Sequence, residues 1–253
     1  MSNEFILCGK SAPGKKHVSK GALCQDAVFC VEDQFGVYAI IAADGVGSCK
    51  YGREAALIAV NTARNLIPHN FQRWQSMNAN EVKFEIVETI KGETFKQHHG
   101  VDADEWASTL LFAATDGNHI LAFQCGDGAI VLVKNGEARE VCQTIRYDQR
   151  GATNIIQSRK LIDDMNIGKG EVEGFEGFVL MTNGVEKLMK IGMPNGILAT
   201  SQNIVNEIIK ATNPRATFED VIDQIYPYVV DDCTLAVMTL KKGTESPKKW
   251  FEL

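Results

Sequence analysis

Short, nearly continuous apolar runs recur along the chain: Phe5 to Cys8, Ala27 to Glu32, Val37 to Ala43, Thr109 to Thr115, His119 to Cys125, Ala129 to Lys134, Phe178 to Thr182 and Cys233 to Leu240. Each has the length of a β-strand, and a strand that is apolar at successive positions needs cover on both faces. The turn residues between them favour antiparallel pairing. Gly126-Asp127-Gly128 and Asn135-Gly136 supply the positive φ of tight turns, so the stretch from His119 through Glu137 reads as consecutive hairpins. Helical spacing appears in four places. Arg53 to Ile67 carries Ala56, Ala59, Val60, Ala63 and Ile67 on one face and is expected to stop at Pro68, and Glu81 to Gln97 repeats the pattern with Val82, Ile86, Ile90 and Phe95. Ile204 to Ala211 and Phe218 to Val229 do so before the last strand. Two antiparallel sheets packed face to face, with helices outside, is the economical α+β layout.

Residues 1–241 read as one domain, followed by a polar tail, 242–253, that contains Pro247. Within the domain, 144–176 is the least regular stretch and is rich in glycine; a loop of that length in a compact domain is a candidate substrate-facing flap.

Composition narrows the function. The 253 residues carry 26 Lys+Arg against 32 Asp+Glu, a formal charge of −6, and no basic run longer than two residues, which excludes affinity built on neutralising nucleic-acid phosphates. The longest apolar stretch, Val37 to Ala43, is far short of the ~18–20 residues of a spanning helix, and Glu4 stands where a signal peptide needs cations, so a cytoplasmic protein without membrane contact is expected. Seven cysteines without a C-x-x-C pair suggest neither a disulfide framework nor a zinc cluster; Cys30, Cys125 and Cys233 fall in or beside strand-like runs as small hydrophobes.

The candidate chemistry lies at strand ends. Asp26 precedes one run, Asp44, Asp127 and Asn183 each follow one, and Asp231-Asp232 directly precedes the last. Any one of these is an ordinary turn residue. Together they place oxygen-bearing side chains where two packed sheets can gather them at one rim, and carboxylates so gathered repel one another unless a hard cation such as Mg²⁺ or Mn²⁺ sits among them. Asp116-Gly117-Asn118-His119 reads as a hairpin turn, and Asp102-x-Asp104 as a helix cap or exposed loop.

These motifs, in this order over roughly residues 17–240, resemble the type-2C, metal-dependent serine/threonine protein phosphatases, in their divergent bacterial branch. Cys24-Gln25-Asp26 is similar to the family's opening acidic motif, Asp44-Gly45-Val46-Gly47-Ser48 to its D-G-x-G metal loop, and Ala107-Ser108-Thr109 to a strand start. Cys125-Gly126-Asp127-Gly128-Ala129, Thr182-Asn183-Gly184 and Asp231-Asp232-Cys233-Thr234 resemble the three later motifs. The resemblance implies a four-layer α-β-β-α sandwich and hydrolysis of phosphoserine and phosphothreonine by a water held between two Mn²⁺ or Mg²⁺ ions, with a weaker third position. It implies that Asp44 bridges both ions, the Gly45 carbonyl binds the second, Asp231 and Asn183 hold the first, Asp26 holds metal-bound waters, and Asp127 serves the third. Asp44, Asp231 and Asp26 are thereby the catalytic candidates. Phosphorylated proteins, with an opposing serine/threonine kinase, are the expected partners of a monomer.

Three departures from the family pattern stand out. Asn183 replaces an aspartate, which removes one negative charge from the first metal position. No arginine precedes the acidic motif, leaving His17 and Lys20 as the phosphate-binding candidates, and Val46 occupies the place of a histidine proposed elsewhere as the acid for the leaving group. The alternative is a catalytically weak module of the same fold that binds a phosphoprotein or regulatory partner, a reading that Asn183 supports.

Overall fold

The computed structural model describes residues 4–97, 102–142, 154–157, 165–191 and 196–241. Ten strands form two five-stranded antiparallel sheets. The first holds β1 (Phe5–Ala12), β10 (Cys233–Leu240), β9 (Phe175–Met181), β6 (Ala129–Lys134) and β7 (Glu137–Val141), in that order. The second runs β2 (Ala27–Glu32), β3 (Tyr38–Ala43), β4 (Leu110–Thr115), β5 (His119–Cys125) and β8 (Asn166–Glu171).

The fully apolar strands are explained by three hydrophobic layers. Ile40, Ala42, Leu111, Ala113, Ile130, Leu132, Phe178 and Leu180 meet between the sheets. The other face of β3, β4 and β5 packs on α2 (Gly52–Ser76) and α3 (Ala79–Gln97) through Ile41, Phe112 and Phe123 against Ile67, Phe71 and Ile90. The outer face of β6, β9 and β10 is covered by α4 (Asn183–Lys190), α5 (Gly196–Lys210) and α6 (Pro214–Ile225). The result is the expected α-β-β-α sandwich. A four-residue helix, α1 (Lys15–Val18), follows β1, and a 3₁₀ turn, Tyr226–Tyr228, follows α6.

Several expectations need correcting. Pro68 does not stop its helix: α2 continues to Ser76. Proline removes the hydrogen bond to the Arg64 carbonyl at a cost of about 3 kcal/mol. Beyond it, Phe71 and Trp74 continue the apolar stripe of Ala63 and Ile67 and are fully buried, at roughly 2 kcal/mol each, which more than offsets that loss. Phe95 is not on the buried face of α3. It is 71% exposed, while Thr94 is buried and returns its hydroxyl to the Ile90 carbonyl at 2.9 Å.

The irregular reading of 144–176 fails at its C-terminal end. Asn166–Glu171 is strand β8, paired with β5 so that Gly168 faces Ala122 and Gly170 faces Ile120, and β9 begins at Phe175. An edge strand needs little apolar sequence. This one is anchored by Lys169, whose ammonium donates to the Trp74 and Met77 carbonyls at the end of α2. Apart from 154–157, residues 144–164 lie outside the described residues, as does the tail 242–253.

The minor turn assignments hold. Asp116 accepts the Asn118 and His119 amides, and Asp102 accepts the Asp104 amide at a 3₁₀ turn, Ala103–Glu105. Cys125 and Cys233 are buried, Cys30 is half-buried, and no disulfide joins described residues. Among the described residues no helix is long and apolar enough to cross a membrane.

Candidate active site

The strand ends converge at one rim of the sandwich. Asp44 leaves β3 immediately after five fully buried residues, Ala39 to Ala43, so its backbone position is fixed by the core. Thr109 brackets it: the Asp44 amide donates to Thr109 Oγ1 at 2.8 Å and the Thr109 amide donates to the Asp44 carbonyl at 2.9 Å. The loop that follows lies against the start of α2. A Cβ on Gly45 would sit 2.4 Å from the Gly52 carbonyl carbon, so only glycine allows this approach.

Asp26 stands just before β2 and is buried. Its Oδ2 accepts hydrogen bonds from Thr182 Oγ1 at 2.7 Å and Thr234 Oγ1 at 2.8 Å, which ties the rim of one sheet to β9 and β10 of the other. Its Oδ1, equally buried, accepts from no hydroxyl or N–H, and the Asp44 carboxyl lies within hydrogen-bonding reach of the Asp26 carboxylate.

Asp127 is carried on the β5–β6 hairpin between Gly126 and Gly128, at φ +104° and +105°. The Gln124 amide fixes that turn by donating to both glycine carbonyls, at 3.2 and 3.1 Å. Asn183 opens α4, and its side-chain amide donates to Asp127 Oδ2 at 3.1 Å. The departure from aspartate therefore turns a like-charge approach into a hydrogen bond.

The Asp231-Asp232 pair divides the labour. Asp232 is 5% exposed and accepts three donors: the Gly14 amide at 2.9 Å, His17 Nδ1 at 2.7 Å and the Gln25 amide at 2.6 Å. Asp231 is half-exposed, with Lys16 Nζ 3.8 Å from its Oδ2. These groups enclose a cleft of about 310 Å³ lined by His17, Gln25, Asp44, Gly45, Asp127, Asn183, Asp231 and Asp232, with Asp26 behind Asp44. Lys20 is not brought in. It stands exposed on the turn after α1 and does not line the cleft.

Sequence reasoning missed Asp232 as the anchor of His17, Lys16 as the cation beside Asp231, and the hydroxyls of Thr182 and Thr234. The doublet Asp231-Asp232 carried the signal, because two adjacent aspartates entering a strand must point in different directions.

The electrostatics are those of crowded anions. Burial pushes the Asp44 carboxyl far above the ordinary carboxylate range, and the Asp26, Asp127 and Asp231 charges push it the same way. Burial also raises Asp26, against the lowering effect of its threonine hydrogen bonds. Among the described residues no three His, Cys, Asp or Glu side chains form a ready-made metal cage. The candidate donors lining the cleft are instead the carboxylates of Asp44, Asp127 and Asp231, the Asn183 amide and the Gly45 carbonyl. Such oxygen donors suit Mg²⁺ and Mn²⁺, and behind them the buried Asp26 Oδ1 has no hydroxyl or N–H donor. The residues fit a hard divalent cation.

Comparison with known proteins identifies the family. A sequence-family model described as "Protein phosphatase 2C" matches residues 13–225. The chain belongs to the protein phosphatase 2C family. Over 128 residues it is 28% identical to serine/threonine-protein phosphatase 3 of Escherichia coli (strain K12), an alignment covering 48% of this chain and 51% of that protein, so it spans about half the relative's length. The serine/threonine phosphatase of S. agalactiae has a similar structure at TM-score 0.66 and 17% identity, covering 94% of this chain and 100% of that one. The catalytic domain of serine threonine protein phosphatase PstP, solved in complex with two manganese ions, gives TM-score 0.63 at 13% identity, covering 94% and 99%. At such identities the two structures speak for the family's fold alone.

Proposed function

We propose that the chain is a metal-dependent phosphatase that removes phosphate from phosphoserine and phosphothreonine of proteins. The observation that carries this reading is the gathering of Asp44, Asp127 and Asp231 around one cleft, with the buried Asp26 carboxyl behind them. A module that only binds a partner gains nothing from holding repelling carboxylates together, which argues against the binding-module alternative.

Two Mn²⁺ or Mg²⁺ ions, with a weaker third, would neutralise phosphate charge and acidify water in the cleft when bound. Asp44, Asp231, Asn183 and the Gly45 carbonyl would hold them, Asp127 would serve the weaker position, and Asp26 would orient bound water. His17, with Nδ1 turned to Asp232, has its opposite ring nitrogen left for the phosphoryl group, and Lys16 adds positive charge beside Asp231. Lys20 supplies at most long-range attraction for an anionic substrate. A cytoplasmic monomer opposing a serine/threonine kinase completes the reading. Turnover of p-nitrophenyl phosphate and of a phosphothreonine peptide that requires added Mn²⁺ supports the proposal; turnover of neither, at any Mn²⁺ concentration, refutes it.

Asn183 sets the metal affinity in this scheme. Asn183→Asp replaces the amide that donates to Asp127 with a second carboxylate. We expect about tenfold tighter Mn²⁺ binding by calorimetry, because the added attraction for a divalent ion exceeds the added repulsion between single charges. The same variant should melt at a lower temperature than wild type in chelator, where only the repulsion remains. The wild type should prefer Mn²⁺ to Mg²⁺, as the higher member of the affinity series. Equal or weaker Mn²⁺ binding by the variant would show that Asn183 is not a ligand.

A further inference from the structure

The rim of the cleft on the α1 side has an unusual surface. Among the described residues ten large hydrophobic side chains are exposed, and five of them, Val18, Leu23, Tyr226, Tyr228 and Val230, fall in two short segments. Those segments are bonded to each other. The Lys16 amide donates to the Val230 carbonyl at 3.0 Å, the Tyr226 hydroxyl donates to the Pro13 carbonyl at 2.9 Å, and the Gly14 amide donates to Asp232. Gly14 lies so close to the chain before β10 that a Cβ there would sit 1.8 Å from the Asp231 carbonyl oxygen. Single exposed hydrophobics are ordinary, but here half of the exposed large ones among the described residues fall in two hydrogen-bonded segments beside the cleft, a pattern that suits a binding surface.

Two further features say what binds. The surface is continuous with the cleft, since His17, Asp231 and Asp232 belong to the same two segments and line it. Its α1 segment is also basic: Lys15, Lys16 and Lys20 are exposed within six residues and no acidic residue falls between Pro13 and Gln25, in a chain whose formal charge is −6, while the acids of the other segment, Asp231 and Asp232, line the cleft. We infer that this rim is the docking surface for the polypeptide flanking the phosphorylated residue, and that it selects substrates with an apolar side chain next to that residue and acidic side chains further out. This rests on the phosphatase reading and adds to it the substrate class.

The test compares phosphothreonine peptides with Leu beside the phosphothreonine and Glu beyond it against peptides with Ala and Lys there. Wild-type protein with Mn²⁺ should favour the first by about tenfold in kcat/KM. Leu23→Ser combined with Tyr228→Ser should erase the preference for Leu, and Lys15→Glu the preference for Glu, with p-nitrophenyl phosphate hydrolysis unchanged in both. Fluorescence anisotropy of the labelled peptides should show the same ordering of affinities without turnover. If wild type hydrolyses nothing, the phosphatase reading fails and the rim is judged on binding alone. Wild type without selectivity overturns the inference, as do variants that keep it. So does light scattering that shows a dimer dissociated by the serine substitutions, since the surface would then serve a second copy of the chain.

Discussion

Asp44→Asn is expected to lower hydrolysis of both p-nitrophenyl phosphate and phosphothreonine peptides by at least roughly 10³-fold, while raising the melting temperature of the metal-free protein. The first effect follows from the proposed role of Asp44, whose loss would remove a carboxylate from the set that lines the cleft and would hold the metal there. The second follows from its burial among Asp26, Asp127 and Asp231. In the fold Asp44 holds its proton more tightly than in the unfolded chain, so the native state binds more protons at neutral pH and metal-free stability falls as pH rises above the ordinary carboxylate value of 3.8. Wild type in chelator should therefore melt higher at pH 5 than at pH 8, and the Asp44→Asn variant should flatten that slope. Added Mn²⁺ should stabilise wild type and leave the variant unmoved. A variant that melts lower than wild type in chelator, or that still turns over, would mean Asp44 is a structural turn residue.

Asp232→Ala should have the largest effect on folding of any change at the rim. Its carboxylate accepts the Gly14 amide, His17 and the Gln25 amide inside the protein, so truncation leaves buried donors without an acceptor. A loss of about 3–5 kcal/mol is expected in urea unfolding. Asp232→Asn should be milder. One amide oxygen can still serve Gly14 and His17, but the amide nitrogen would face the Gln25 N–H, donor against donor. In the folded fraction it is the alanine variant that should show a raised KM for phosphopeptides, because His17 then loses the acceptor of its Nδ1. An alanine variant within about 1 kcal/mol of wild type would contradict the anchoring role.

Much of this fold was legible because the strands are unambiguous. Four of the eight apolar runs, Ala27–Glu32, His119–Cys125, Ala129–Lys134 and Cys233–Leu240, coincide with their strands to the residue. The missed strands are the two far edges. Glu137–Val141 and Asn166–Glu171 are covered on little of their surface, so their sequences carry no apolar signature, and their pairing is decided by the hairpin after β6 and by the free edge of β5. Helix α4 was missed because its eight residues open on the Asn183-Gly184 pair, which by composition reads as a turn.

The acidic residues of the site were legible as strand-end aspartates, whose chemistry is tied to where strands stop. The cations were not. His17 and Lys20 looked equivalent, three residues apart, but Asp232 lies in the fold beside His17, 215 residues distant in sequence, and only tertiary structure chooses between them. Lys16 was passed over for the same reason, since its neighbour Asp231 comes from the other end of the chain.

The central claim is most directly tested by stripping the protein with chelator and following phosphothreonine-peptide hydrolysis as Mn²⁺ is returned. The account predicts no turnover in chelator and recovery that saturates as the cleft fills. Turnover that persists in excess chelator, or that fails to appear at any Mn²⁺ concentration, would contradict it.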